Sequence, residues 1–400
     1  MSLELRVTFL AEEVGGFDTC VLARNEDRAV VRSSQSFVLD DQPQAVENDG
    51  YLMIQRFHAQ NFRCFDSLQL DGLRRFNFVV GESGSGKSAL LESIFLLSAA
   101  NPELYFRIRR TRGFGEGNLE LQANKESFTS LFRFLFHNGD ISSIARLSLH
   151  DNYHGNRKLD IYFEGQQSLT IPLNKPENAF VFLPLSFKWD VGNLVKEITL
   201  ELKDGSIKGT GSVLPHPVHF ISPRNVSSRY DAFLFSSLSR SMKIQKVIEV
   251  IQRIYPYVLS LSLEIIGGET LIGAQIEGTD EKFPINDLSG GLNKLISIAL
   301  AIASNPSGII LIDEIENGFY YKNYREVMNS VIALCEEYSV QLFASTHSAE
   351  FLTSAAEALE TRTKDFLLLR TKYAQNKSEV TRIEGRWSLS AIEQNAEVRG

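Results

Sequence analysis

Cysteine is scarce: Cys20, Cys64 and Cys335 are the three in 400 residues, far apart and without a CxxC pair. That spacing argues against a disulfide framework and a zinc knuckle, and it suits a reducing cytoplasm. Long hydrophobic runs are missing too. No apolar stretch approaches the ~20 residues of a membrane span, and the N-terminus has no basic region followed by an apolar one. The expected location is therefore the cytoplasm, with no membrane partner. Positive charge is in deficit: 41 Lys and Arg against 49 Asp and Glu give a net charge of −8 and a pI near 5.5. That removes any global electrostatic case for nucleic-acid binding. One local exception is FRIRRTRG, where Arg107, Arg109, Arg110 and Arg112 gather; both a solvated turn and a phosphate or DNA contact fit it. Metal-ligand patterns are thin. His216 and His219 stand in HPVH, with prolines at 215 and 217 and no nearby third ligand, which favours a structural role at a strand edge.

What is present is an ordinary soluble composition, 43% hydrophobic, long enough for a large core and two lobes. Residues 1–49 read as a small β-rich extension and linker, closing in the polar DDQPQAVENDG. Residues 50–112 begin an α/β core with two strands about a turn, MIQRFHAQNFRCFDSLQL, and the buried strand FNFVV. Residues 113–220 turn to period two in ARLSLHD, KLDIYFEG, SLTIPL and EITLELKDG, broken by one amphipathic helix, SFTSLFRFLF. Residues 221–400 return to the core. There a helix at 292–304, the strand GIILIDE, a helix at 324–338 and the strand VQLFAST alternate strictly. Such alternation implies right-handed βαβ units. The expected fold is thus α/β, with a parallel-sheet core and an antiparallel β-rich lobe.

The segment FNFVV-GESGSGKS-ALLESIFLL is strand, glycine-rich loop, helix. Gly81 and Gly86 let the backbone wrap, so that amides of Ser83, Gly84, Ser85, Gly86, Lys87, Ser88 and Ala89 converge on a β-phosphate at a helix N-terminus. Lys87 is expected to reach the β- and γ-phosphates of ATP, and the Ser88 hydroxyl to bind Mg²⁺. GIILIDE delivers Asp313 and Glu314 to the C-terminal edge of a buried strand, where α/β sheets keep their ligands. Asp313 fits the Mg²⁺ carboxylate and Glu314 the base that polarises an attacking water. The next strand ends in His347, placed to sense the γ-phosphate or orient the water.

A second anion site is written in NDLSGGLNKL. Ser289, Gly290 and Gly291 head another apolar helix, whose free amides and dipole suit a phosphate. One molecule does not easily bring both cradles to one nucleotide. Two copies, head to tail about a twofold axis, do so, each signature closing over the γ-phosphate in its partner. A homodimer formed on ATP is the expectation.

P-loop, Leu-Ser-Gly-Gly, Asp-Glu and a switch His in that order resemble the heads of ABC-type ATPases. Within these, MIQRFHAQNFRCF, LIDEIENG and FASTHSAEF are similar to the AAA-labelled, RecF/SMC-like ATPases related to OLD-family nucleases and Septu-type defence ATPases. The resemblance spans about residues 53–400. It implies ATP-driven dimerisation coupled to DNA metabolism or phage defence, with DNA and a separately encoded effector such as a nuclease as partners. Three departures stand out: the signature is complete, Phe319-Tyr320 replaces the relatives' Leu-His after ENG, and no Q-loop glutamine is identifiable near FISPRNVSSRYD. A transporter's nucleotide-binding subunit shares the motifs but keeps its signature closer to the P-loop. An ATP-binding scaffold without turnover would not need Glu314 and His347. After residue 351 the chain reads as a closing helix and strands such as DFLLLR and EVTRIEG. Its acids Glu357, Glu360, Asp365 and Glu379, like His150 and His154 around DNYH, lack a two-metal pattern.

Overall fold

The strand FNFVVG, Phe76–Gly81, has no exposed residue. It lies between two parallel neighbours, Gln341–Ser345 and Phe366–Ala374, in the middle of a six-stranded sheet. Beyond Gln341–Ser345 come Ile309–Ile312 and then Val218–Ile221, both parallel; on the other side Lys377–Glu384 closes the sheet as its antiparallel edge. The computed structural model describes residues 8–9, 52–99, 125–164, 184–192, 194–203, 206–210, 217–223 and 228–384.

Both faces of this sheet are covered at its centre, which is why the strands Phe76–Gly81, Ile309–Ile312 and Gln341–Ser345 are buried throughout instead of alternating. Phe78, Ile310, Leu342 and Leu368 feed one core, and their neighbours Val79, Leu311, Phe343 and Leu369 the other. The first core is closed by the helix Gly290–Ala303, flanked by Ser228–Arg240, Ile244–Ile254 and Tyr324–Glu337. The second holds the helix Lys87–Ala99. Its Leu90, Leu91, Ile94 and Leu97 are all fully buried, as suits a helix apolar on every side.

That helix is sandwiched against an antiparallel sheet drawn from two stretches of chain. Ile54–Phe62 and Phe65–Asp71 form a hairpin; Ala145–Asp151, Gly155–Phe163, Leu185–Val191, Leu194–Lys203 and Ser206–Thr210 follow in order. Thr8–Phe9 pairs in parallel with the last of these. In Ala145–Asp151 every second residue is buried, the pattern of a sheet with one wet face. Gln341 ties the two sheets. Its fully buried amide accepts from Ile54 N–H (2.8 Å) and donates to the carbonyls of Ile54 (2.9 Å) and Arg74 (2.8 Å). A buried amide so satisfied specifies one docking geometry. The three-stranded sheet Val258–Ile266, Glu269–Ile276, Lys282–Pro284 leads into the signature.

Two elements escape the sequence patterns. Leu185–Val191, LSFKWDV, lies outside the alternating runs read from the sequence, yet its Leu185, Phe187 and Trp189 are fully buried. Ser228–Arg240 is serine-rich, which hides the buried set Ala232, Leu234, Phe235 and Leu238. The run SLTIPL, the cluster Arg107–Arg112 and nearly all of residues 1–51 lie outside the described residues. Among the described residues, no helix is long and apolar enough to cross a membrane.

Candidate functional site

The phosphate loop begins where the central strand ends, and its glycines are forced by their neighbours. Gly81 has φ +141°, and a Cβ there would fall 2.2 Å from the carbonyl oxygen of Thr371. Gly86, at φ +107°, would press a Cβ within 2.9 Å of the Cys64 sulfur and the Ser378 hydroxyl. Ser83 and Gly84 are exposed at the tip, and nothing lies near the Gly84 Cα. Ser85 is buried instead. Its hydroxyl donates to the Glu82 carbonyl (2.7 Å) and sits 2.6 Å from that of Thr371, so it braces the loop from beneath. Ala89 is buried in the first turn of the helix, leaving its main chain as the only part able to serve a ligand. Ser88 is half-buried.

Lys87 is 5% exposed, and its ammonium donates to the carbonyls of Gly81 (2.8 Å) and Glu82 (2.7 Å). Burial pushes it down to about 8, and the carboxylates of Asp313, Glu314 and Glu316 pull it back up. The P-loop lysine and the acidic turn therefore share one field.

The acidic turn is built by the adjacent strand. The Ser345 hydroxyl donates to Asp313 Oδ1 (2.5 Å) while accepting from the Glu314 N–H (2.8 Å). Its carbonyl accepts from Ile315 N–H (2.9 Å). Asp313 is 7% exposed, and Glu314 adopts φ +49°, the left-handed region that a side chain occupies at a cost of about 1–3 kcal/mol. Asn317 Nδ2 donates to Glu314 Oε2 (2.6 Å). His347 is exposed; its N–H donates to Glu316 Oε1 (2.7 Å), which couples the switch strand to the same turn. One hydroxyl (Ser88) and a buried carboxylate with one oxygen engaged (Asp313) form a donor set that suits Mg²⁺ with waters completing its shell.

The third component is the signature. Ser289 caps the helix Gly290–Ala303, its hydroxyl accepting from Leu292 N–H at 3.1 Å. Gly290 is exposed with open space at its Cα, while a Cβ on Gly291 would meet the Gly318 carbonyl at 2.5 Å and the Tyr255 hydroxyl at 2.7 Å. Of the two glycines, then, Gly290 keeps the helix end accessible and Gly291 lets it pack on the turn that follows Glu314.

Thr371, Glu316 and Asn317 carry part of this geometry and were not singled out by sequence. Asn317 and Glu316 had a signal in LIDEIENG; Thr371 had none. His219 stacks on Tyr230 with ring centres 5.1 Å apart, and His150 Nδ1 lies 2.9 Å from Asn156 Oδ1. Among the described residues, no three His, Cys, Asp or Glu side chains converge as a metal site of their own.

Comparison with known proteins matches residues 76–353 to the family described as "AAA domain, putative AbiEii toxin, Type IV TA system". A Helicobacter pylori protein named ATP/GTP phosphatase is 22% identical over 346 residues, covering 78% of this chain and 90% of that one. A 44-residue stretch is 50% identical to the DNA replication and repair protein RecF of Actinobacillus pleuropneumoniae, 11% of this chain and 12% of RecF. The Smc head domain of Pyrococcus furiosus, solved with the C-terminal domain of ScpA, is 12% identical with a TM-score of 0.48 over 86% of this chain and all of that one. With more than half its length inside the family match, the chain belongs to this AAA-domain family and is an ABC/AAA-type P-loop ATPase of the RecF/SMC group.

Proposed function

We propose that this chain is a Mg²⁺-dependent ATPase that closes head to tail with a second copy around two ATP molecules. It passes that closure to a separately encoded effector, most simply a nuclease, in DNA metabolism or phage defence. The observation that carries the reading is the Ser345-braced turn, which sets Asp313 and Glu314 in the field of Lys87.

On ATP binding, Lys87 exchanges the Gly81 and Glu82 carbonyls for β- and γ-phosphate oxygens, and the amides of 83–89 take the β-phosphate. Ser88 and Asp313 would hold Mg²⁺, which would supply neutralisation of the phosphate charge. Glu314 orients and polarises the attacking water, and His347 reads the γ-phosphate. Ser289, Gly290 and Gly291 offer a helix end to the γ-phosphate bound by the partner. The relative named ATP/GTP phosphatase supports turnover, and the stretch shared with RecF supports a link to DNA. Both places for the chain, the cytoplasm and an ATP-bound homodimer, belong to this proposal.

Two measurements test it. Purified protein should hydrolyse ATP with Mg²⁺ and leave plasmid and linear DNA uncut with Mg²⁺ or Mn²⁺. Cleavage that survives both Lys87→Ala and Glu314→Gln would reveal a nuclease site that this account lacks. Affinity should also depend on pH. With Lys87 free at about 8, binding above that pH requires proton uptake, so affinity for ATP should fall as pH rises, by up to about tenfold per unit. Titration of a fluorescent nucleotide between pH 7 and 9.5 reads this directly. A flat profile in the wild type, or the same slope in Lys87→Arg, contradicts it.

A further inference from the structure

The helix that begins at Ser289 carries one cation in its apolar interior. Lys294 is 4% exposed, in a helix where Leu292, Leu295, Ile296, Ile298 and Leu300 are fully buried. Its ammonium donates to the main-chain carbonyl of Glu314 at 2.5 Å. Glu314 is thereby held at three points: carbonyl by Lys294, N–H by Ser345, side chain by Asn317. Those bonds hold a residue in left-handed backbone at φ +49°, a conformation that persists only where its surroundings over-determine it. One turn earlier, Gly291 packs on Gly318 at the far end of the same acidic turn. Burial of Lys294 pushes it down to about 8, against the pull of Glu316, Glu314 and Asp313. A buried ammonium is costly unless it is paired, so an apolar residue would suit this helix better if packing were the only requirement.

We infer that Lys294 is a positioning residue for hydrolysis: it fixes the Glu314 main chain, and so ties the helix closing the partner's site to the carboxylate serving its own. The inference rests on the proposed role of Glu314. The aim of a general base is sensitive to small shifts, since a displacement of about 1 Å can cost up to ~10²-fold in rate.

Lys294→Met keeps length and burial without the donor; Lys294→Arg keeps a donor. ATPase kcat and the Kd for MgATP are measured on both. Lys294→Met should lose about tenfold or more in kcat with Kd within about threefold of wild type, and Lys294→Arg should regain part of the rate. A wild-type kcat in Lys294→Met, or a parallel loss of kcat and affinity, overturns the inference. If Lys294→Met does not fold, Lys294→Gln is read by the same split. Mixed dimers separate the two sites that the helix touches. Lys294→Met mixed with Ser289→Arg should regain activity, because the intact Glu314 of the second chain meets the intact signature of the first. Mixed with Lys87→Ala it should not. The reverse pattern would mean that Lys294 serves the signature alone. Absence of hydrolysis by the wild-type chain would overturn both readings, whereas normal turnover by Lys294→Met overturns this one only.

Discussion

Glu314→Gln should bind ATP as the wild type does and hydrolyse it at least about 10²-fold more slowly, the loss expected when a base and its transition-state charge are removed. The substitution conserves volume, and a glutamine carbonyl still accepts from Asn317, which donates to Glu314 Oε2 at 2.6 Å. The main-chain bonds from Ser345 and Lys294 do not involve the side chain, so the turn should keep its left-handed shape. What disappears is the negative charge beside the attacking water. Because closure is proposed to precede hydrolysis, the variant should accumulate as an ATP-bound dimer, seen on a sizing column as a doubled mass only with nucleotide present. Wild-type turnover would remove Glu314 from the reaction. Slow turnover without an accumulating dimer would separate closure from ATP.

The parts legible in the sequence are those where chemistry and backbone demand the same residues. GESGSGKS could be read because a loop that turns amides inward needs glycine where the backbone goes left-handed; Gly81, Gly84 and Gly86 all have positive φ. The central strands could be read because burial on both faces leaves apolar runs such as GIILI. The antiparallel sheet was legible by its alternation, but its reach back to Ile54–Phe62 was not. Pairing between Ile54–Phe62 and Ala145–Asp151 joins segments separated by the P-loop helix, and nothing local encodes it.

The supporting residues were the least legible. Thr371 acts through the Val80 carbonyl and the Ser85 hydroxyl, both distant in sequence. Lys294 reads as an ordinary helix lysine until its end is seen on the Glu314 carbonyl. The departure at Phe319-Tyr320 resolves into two roles: Phe319 is buried in the core, while Tyr320 is 55% exposed and meets Tyr321 edge to face, ring centres 4.8 Å apart. The exposed Tyr320 and Tyr321 stand just beyond Gly318, on which Gly291 packs, and the Lys322 ammonium lies 5.7 Å from the Tyr320 ring centre.

The central claim is that each nucleotide is shared between two copies, and mixing two inactive variants tests it most directly. Lys87→Ala removes the ammonium that is buried in its own phosphate loop, so it disables the site of the chain that carries it. Ser289→Arg places bulk and charge at the helix end beside the open Gly290, so it disables the site of the partner. Each homodimer then has two broken sites. In the mixed dimer, both lesions fall on one composite site and leave the other whole, so activity should return to as much as about half per dimer of that kind. ATPase rate is measured as one variant is titrated into the other, with heterodimers counted by differential tags. Recovery that follows the heterodimer fraction is the predicted result; no recovery in the presence of demonstrated heterodimers would contradict a signature acting across the interface.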